Sequence, residues 1–506
     1  MDGGMSDESL ILSLPELLDR RAAELGERTA LCFEGDRISY RELAELSSRA
    51  AGMFRSRGVN AGDRVVVLLR NARELPVALG ACARLEAILV PLNPQHRGDV
   101  LRYMVSHAEP AAMLVDSSLL DGSQQADVRA SAVKAKLFEA AEFLTSVSSS
   151  TPYPGTADPF APGAIVYTSG TTGRSKGAIL SQAFLLHEAD AYLSAVEPIE
   201  RDVFWTTLPL FHTNALCLSL LGGLLAGRPV VIRNRFSASR FWEQVRGDGG
   251  TVVNLLGAMV PILLKTHPDP VTDHPVRLAV GGGVSAPAVE AFEKRFGVRF
   301  MEIYGLTETG MNAARSPGSG GVGTVGKALP SWEIRVDAPD GSDGEIQIRA
   351  RRRGALFDGY WRDEERTAAA FTDDGFFRTG DLGRYDTDGN LSFRGRAKDC
   401  IRRRGENISP SEVEYSVAQH PAIAECVAVP VPSELAEDEV KLVYVIHGGA
   451  QVTPQELHEF CKERMAPFMV PRYWERRDVL PKTPTQKVER HRLQGLGPNV
   501  HDMAGR

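Results

Sequence analysis

Ile165-Val166-Tyr167-Thr168-Ser169-Gly170-Thr171-Thr172-Gly173-Arg174-Ser175-Lys176-Gly177 sets the terms for the whole chain. An apolar, β-prone triplet runs into ten residues of Gly, Ser, Thr and cationic side chains. Small residues let backbone approach a ligand closely, and Gly170, Gly173 and Gly177 can take turns closed to other residues. Successive N–H groups in such turns form an anion-binding nest. Thr168, Ser169, Thr171 and Thr172 add hydroxyl donors, and Lys176 adds a point charge. Together they read as a polyphosphate loop at the end of a strand. The Walker spacing G-x-x-x-x-G-K-[ST] is absent, so this is a different phosphate loop.

Upstream, residues 14–25 place Leu14, Leu17, Leu18, Ala22 and Leu25 on one helical stripe. A hairpin at 30–40 follows, then helix 41–56, strand 64–69, helix 74–84, strand 88–90, helix 98–107 and strand 111–115. Strands alternating with helices predict a mainly parallel sheet covered on both faces. Residues 145–163 turn to Ser, Thr, Pro and Gly and read as a loop delivering the chain to the phosphate loop. The apolar run 215–227 is too short to span a bilayer and predicts a buried helix. The α/β pattern continues to about residue 310. Beyond Pro330, segments 332–336, 345–349 and 389–394 alternate with period two, predicting a small antiparallel sheet or β-barrel-like subdomain. A helix at 409–418, strands at 423–430 and 440–446 and a helix at 454–465 predict a separate small α+β domain.

Composition narrows the function. Of 506 residues, 43% are hydrophobic and 24% charged, which is ordinary for a globular enzyme with a large core. Lys and Arg number 58 against 65 Asp and Glu, a net charge of −7, which gives no electrostatic case for nucleic acid or anionic membrane. Cys32, Cys82, Cys217, Cys400, Cys426 and Cys461 are scattered without a C-x-x-C pair. Neither a metal cluster nor a disulfide framework is expected, and a reducing cytoplasm fits. Met1-Asp2-Gly3-Gly4-Met5 lacks the apolar core of a signal peptide.

Further segments carry chemistry. Trp205-Thr206-Thr207-Leu208-Pro209-Leu210-Phe211-His212 ends in an aromatic pair. Leu278-Ala279-Val280-Gly281-Gly282-Gly283 is a strand running into glycines. In Tyr304-Gly305-Leu306-Thr307-Glu308, Tyr304 offers a flat face, Thr307 a donor and Glu308 a hard oxygen ligand suited to Mg²⁺. Thr379-Gly380-Asp381 presents a carboxylate at a turn. The segment 395–414 contains Arg396, Lys398, the basic run Arg402-Arg403-Arg404, Gly405 and Glu406; the segment 480–490 contains Gln486-Lys487.

In this order, over residues 165–490, these motifs resemble those of the adenylate-forming (ANL) superfamily. That superfamily comprises acyl-CoA synthetases, luciferases and peptide-synthetase adenylation domains. The Thr-Gln-Lys-Val-Glu wording at 485–489 is similar to carnitine/crotonobetaine-CoA ligase-like members, although Gln486 stands where the family usually has Gly. The resemblance implies an N-terminal AMP-binding domain over 1–396 and a mobile C-terminal domain over 397–506, hinged near Lys398. It places Thr168 to Lys176 on the ATP phosphates and Gly281 to Gly283, Tyr304 and Gly305 around adenine. Asp381 and Arg396 then fall at the ribose, with Thr307 at the α-phosphate and Glu308 on the metal. His212, Asn214, Asn254, Gly257 and Ala258 are expected near the acyl group, and Arg404, Gly405 and Glu406, with Arg402 and Arg403, along the coenzyme A path. Lys487 is expected to be the catalytic lysine. ATP, Mg²⁺ and coenzyme A follow as reactants and cofactor. The implied reaction is carboxylate adenylation with pyrophosphate release, then thioester formation with coenzyme A. A carrier-protein phosphopantetheine acceptor, or activation of another oxyanion such as nitrite towards an amine, is the alternative. A homodimer is compatible with the sequence.

Overall fold

A computed structural model describes residues 12–132, 134–168, 174–319, 321, 323–339, 342–396, 401–433, 437–481 and 488–504. Helix Leu14–Leu25 begins at Ser13, whose backbone N–H and hydroxyl both donate to Glu16, and buries Leu14, Leu17 and Leu18. The hairpin Thr29–Phe33/Asp36–Ser39 turns through Glu34 and Gly35, at φ 48° and 99°. Positive φ at both turn residues matches the twist of the flanking strands.

Two sheets organise the larger part. In the first, the strands run in the order Gly359–Tyr360, Lys176–Ser181, Pro162–Thr168, Ile88–Pro91, Arg64–Leu68, Pro110–Val115, Lys136–Glu139. It is parallel from Pro162–Thr168 outward to Lys136–Glu139 and antiparallel at the other end. The second has nine strands, with a parallel centre from Arg299–Leu306 through Leu278–Gly282, Val252–Leu256, Phe204–Thr206 and Val230–Ile232 to Thr29–Phe33. One buried cluster joins Val65, Val67 and Leu89 of the first sheet to Val231, Leu255 and Ala279 of the second, through Phe54, Ala78 and Leu185 of the helices. Val66 and Leu68 point the other way into a second cluster. Strand Arg64–Leu68 is therefore apolar on both faces, and its run Arg-Val-Val-Val-Leu reads continuously rather than alternating.

The small subdomain is a four-stranded antiparallel sheet of Trp332–Asp337, Gly344–Ala350, Phe377–Tyr385 and Leu391–Arg396. Between its second and third strands the chain leaves to place Gly359–Tyr360 on the edge of the seven-stranded sheet. A two-residue strand carries no periodicity, so sequence pattern does not reveal it. The apolar run at 215–227 is buried as expected, but it opens as π-helix Asn214–Leu221 before α-helix Gly222–Ala226.

Residues 401–504 supply the hairpin Ile401–Arg403/Glu406–Ile408 and a sheet of Ile423–Pro432, Asp438–Ile446, Tyr473–Arg476 and Val500–Asp502. Ala428, Leu442 and Trp474 share a cluster with helices Pro410–Val417 and Pro454–Lys462, and with Val66 and Met104 of the larger part. Val427, Val429 and Val443 face oppositely, against Leu480, Leu493 and Val488. Among the described residues, no helix is long and apolar enough to cross a membrane.

Candidate active site

A cleft of about 1530 Å³ lies between the sheets of the larger part, the small subdomain and the 401–408 hairpin. Strands Pro162–Thr168 and Lys176–Ser181 pair antiparallel with Thr168 opposite Lys176, the two described residues that flank the phosphate-loop motif on these strands. Ser169, Gly170, Thr171, Thr172 and Gly173 lie outside the described residues. At the loop's base, Lys176 Nζ donates to the Tyr360 hydroxyl at 2.9 Å, and that hydroxyl donates to Glu308 Oε1 at 2.8 Å. Thr168 Oγ1 is 3.4 Å from the same carboxylate oxygen. Burial, and then the neighbouring Glu308 carboxylate, push the Tyr360 phenol well above its ordinary range, so it stays a donor. Tyr360 is a site residue that the motifs do not contain; it arrives on the edge strand described above.

Glu308 is one carboxylate, and no cluster of three metal-binding side chains occurs among the described residues. That donor set would suit Mg²⁺ held mainly by phosphate oxygens and water, with Glu308 as its protein ligand.

Tyr304 and Asp381 converge from different sheets. The Tyr304 hydroxyl donates to Asp381 Oδ2 at 2.9 Å, and both residues are buried. Gly380, at φ 69°, turns the Thr379–Asp381 segment, while Thr379 Oγ1 accepts from the Asp381 N–H at 3.0 Å. Asp381 pairs in register with Arg396 on the neighbouring strand. The glycines at 281–283 divide their work. A Cβ on Gly281 would lie 2.6 Å from the Leu255 carbonyl oxygen and one on Gly282 2.7 Å from that of Ile303, so close backbone packing demands both. Gly282 and Gly283 line the cleft; Gly281 packs behind them. Gly305 likewise faces backbone, with a Cβ there 2.1 Å from the Gly310 carbonyl oxygen. Thr307 lines the cleft.

At the other end, His212 Nε2 is 3.1 Å from both oxygens of Glu406. Asn93 Nδ2 donates to Glu406 Oε1 at 3.2 Å. Desolvation opposes the imidazolium, but the charge and hydrogen bond of Glu406 outweigh it and hold His212 above the usual histidine range. Desolvation also opposes the Glu406 carboxylate, but His212 holds it below the usual carboxylate range. His96, beside them, is pushed down to about 4 by burial. The hairpin reaches the cleft through Arg404 and Gly405, at φ 55° and 80°. A Cβ on Gly405 would lie 2.3 Å from Leu256 Cδ1.

Asn214 lines the cleft, and Asn254 stands behind it, donating from Nδ2 to Asn214 Oδ1 at 3.1 Å and accepting from the Tyr192 hydroxyl at 2.7 Å. Gly257 lines the cleft, whereas Ala258 is buried outside its lining. One expectation is corrected. Arg403 turns inward, donating to the carbonyls of Phe468 and Val470 and pairing with Glu439 at 2.6 Å, so only Arg402 and Arg404 of the basic run face the cleft. Alternation along the hairpin strand puts the middle arginine on the opposite face. Lys398 and Lys487, and the side chain of Arg396, lie outside the described residues.

The site is matched by known proteins. The AMP-binding enzyme model covers residues 18–361, and the AMP-binding enzyme C-terminal domain model residues 412–487. A crotonobetaine/carnitine–CoA ligase of Salmonella paratyphi A is 31% identical, with 95% of this chain and 99% of the relative covered. A double mutant of o-succinylbenzoate CoA synthetase from Bacillus subtilis, bound with its product analogue OSB-NCoA, superposes with TM-score 0.86. Its identity is 27%, over 94% of this chain and 97% of that one. The same synthetase in complex with AMP superposes at 0.70, with 27% identity over 95% and 98%. The chain belongs to the AMP-binding enzyme family, the adenylate-forming superfamily. It is an AMP-forming acid–thiol ligase that adenylates a carboxylate with ATP and transfers the acyl group to coenzyme A.

Proposed function

We propose that the arrangement described here is the thioester-forming one, and that the cleft residues divide between the two half-reactions as follows. In the first, a carboxylate attacks the α-phosphorus of ATP. Both reactants are anions, so charge neutralisation and positioning dominate catalysis. Glu308, with Thr168 beside it, would hold Mg²⁺, which supplies positive charge to the phosphates. The phosphate loop and Lys176 hold the departing pyrophosphate. Tyr304 stacks on adenine, Asp381 accepts from the ribose hydroxyls with Arg396 beside it, and Thr307 donates to the α-phosphate. Lys487 bridges the carboxylate and α-phosphate oxygens.

In the second half-reaction, residues 397–506 rotate about Lys398, and the thiol enters past Gly405 to attack the adenylate carbonyl. The observation that carries this reading is the Glu406–His212 contact across the cleft. Two features support it. The flanks of the lysine loop, Leu480 and Val488, pack on the sheet face opposite the helices, and neither lines the cleft. The complex of the Bacillus synthetase with a CoA product analogue also superposes better than its AMP complex. Arg402 and Arg404 line the cleft and suit the phosphates of coenzyme A, which free pantetheine lacks. The free thiols of Cys32, Cys82, Cys217, Cys426 and Cys461 suit a reducing cytoplasm.

Lys487→Ala tests the division directly. Adenylate formation should fall by about a thousandfold, the order lost when one group stabilising the transition state is removed. Thioester formation from supplied acyl-adenylate should persist; equal loss of both steps would refute the assignment.

A further inference from the structure

Glu412 is an acidic residue that neither half-reaction uses. It lies in the first turn of helix Pro410–Val417, within the part proposed to rotate. Ser175, between Arg174 and Lys176 at the end of the phosphate loop, is 2% exposed. Its backbone N–H donates to Glu412 Oε1 at 2.9 Å, and its hydroxyl donates to the same oxygen. Three residues along the same helix, and so on the same face, the Tyr415 ring centre lies 5.8 Å from the Arg174 guanidinium. On its other side that guanidinium lies 5.0 Å from the Tyr103 ring, on helix Gly98–Ala108. One turn of the C-terminal helix thus engages two consecutive phosphate-loop residues, with a carboxylate on the donors of Ser175 and an aromatic ring on the Arg174 cation.

Ser175 has one N–H and one hydroxyl hydrogen, and here both go to Glu412. A phosphate oxygen at this end of the loop would need the same two hydrogens. A carboxylate offers the charge and the acceptor that a phosphate oxygen would. Burial raises the Glu412 carboxyl above the usual carboxylate range, and the two bonds from Ser175 oppose that rise. A desolvated carboxyl that loses such donors is costly. The docked helix therefore needs Ser175 unoccupied by any other anion.

We propose that Glu412 is a positioning residue that stands in for a phosphate oxygen at Ser175, so that pyrophosphate on the phosphate loop and the docked C-terminal helix exclude one another. This rests on the assignment of the present arrangement to thioester formation. Pyrophosphate would take the donors of Ser175 and draw Arg174 from Tyr415. Its departure would return both to the helix and favour the arrangement that accepts coenzyme A. The coupling is reciprocal: coenzyme A would weaken pyrophosphate by the same factor.

Calorimetric titration of coenzyme A into the full chain saturated with AMP, with and without magnesium pyrophosphate, reads this coupling without the acid substrate. In the wild type, pyrophosphate should weaken coenzyme A by about tenfold or more. In Glu412→Ala that ratio should fall below about threefold, with Ser175→Ala, which keeps the N–H, between the two. Glu412→Asp, which keeps the charge, should restore part of the ratio. A purely structural Glu412 would weaken coenzyme A equally with and without pyrophosphate and leave the ratio at its wild-type value. The ratio is taken on one preparation, so partial loss of folded protein does not move it. A wild-type ratio of about unity, or a ratio retained in Glu412→Ala, overturns the proposal while leaving the ligase reading intact. If coenzyme A does not bind the wild-type AMP complex, the assignment of this arrangement is what fails. Pyrophosphate titrated into the AMP complex then decides the role of Glu412 separately: tighter binding to Glu412→Ala than to wild type supports the competition, and equal affinity overturns it.

Discussion

Gly405→Ala separates the two half-reactions by sterics alone. Gly405 sits at φ 80° in a two-residue turn, and an added Cβ would lie 2.3 Å from Leu256 Cδ1. The backbone cost, about 1 kcal/mol for an L-residue in the left-handed region, follows the hairpin wherever it moves. Under the proposed rotation the clash does not, because Leu256 belongs to the nine-stranded sheet and would meet the hairpin only in the docked arrangement. Relief requires Leu256 to leave its rotamer or the hairpin to withdraw, at about 2 kcal/mol together. That energy falls on the docked arrangement and converts to a factor of about thirty. Pyrophosphate release with the first carboxylate turnover should change by less than about threefold, the residue of the turn strain. Single-turnover transfer from preformed adenylate to coenzyme A should slow by about thirtyfold. Equal slowing of both steps would count against a clash confined to the docked arrangement, as would an unaffected transfer step.

Three other outcomes follow from the same geometry. Lys398→Pro should leave adenylation largely intact and block thioester formation, since proline fixes φ at the residue about which rotation is proposed; a normal overall rate counts against that hinge. Tyr360→Phe removes the hydroxyl joining Lys176 to Glu308 and should raise the KM for MgATP by about tenfold, leaving transfer from supplied adenylate unchanged; an unaltered Mg²⁺ dependence argues against the bridge. The Glu406–His212 pair should give the transfer step a pH window. His212 is raised, so its contribution is full below its ordinary 6.5 and fades as pH rises through the raised value. Glu406 is lowered, so its contribution is full above its ordinary 4.5 and fades as pH falls through the lowered value. Glu406→Gln should flatten both limbs of the transfer profile, and a profile identical to wild type would remove the pair from the account.

The alternating pattern up to residue 115 was legible because each strand and helix is long enough to carry its period, and Val65 to Leu68 show the doubly buried parallel strand plainly. Tyr304, Glu308 and Asp381 were legible because each sits in a short motif whose chemistry names it. Tyr360 was not, because it works from a two-residue strand whose place is set by pairing with Ala178 and not by its neighbours in sequence. Arg403 was misjudged for a related reason: a run of three arginines looks uniform until strand alternation sends the middle one inward.

In the proposed alternation one cleft serves adenylation and thioester formation in turn. Pyrophosphate release from ATP across a panel of carboxylic acids, with and without coenzyme A and with product masses read afterwards, tests it most directly. Acid-dependent release that becomes catalytic in the presence of coenzyme A and yields an acyl-CoA mass is the expected result. Release with no thioester product, from any acid in the panel, would contradict it.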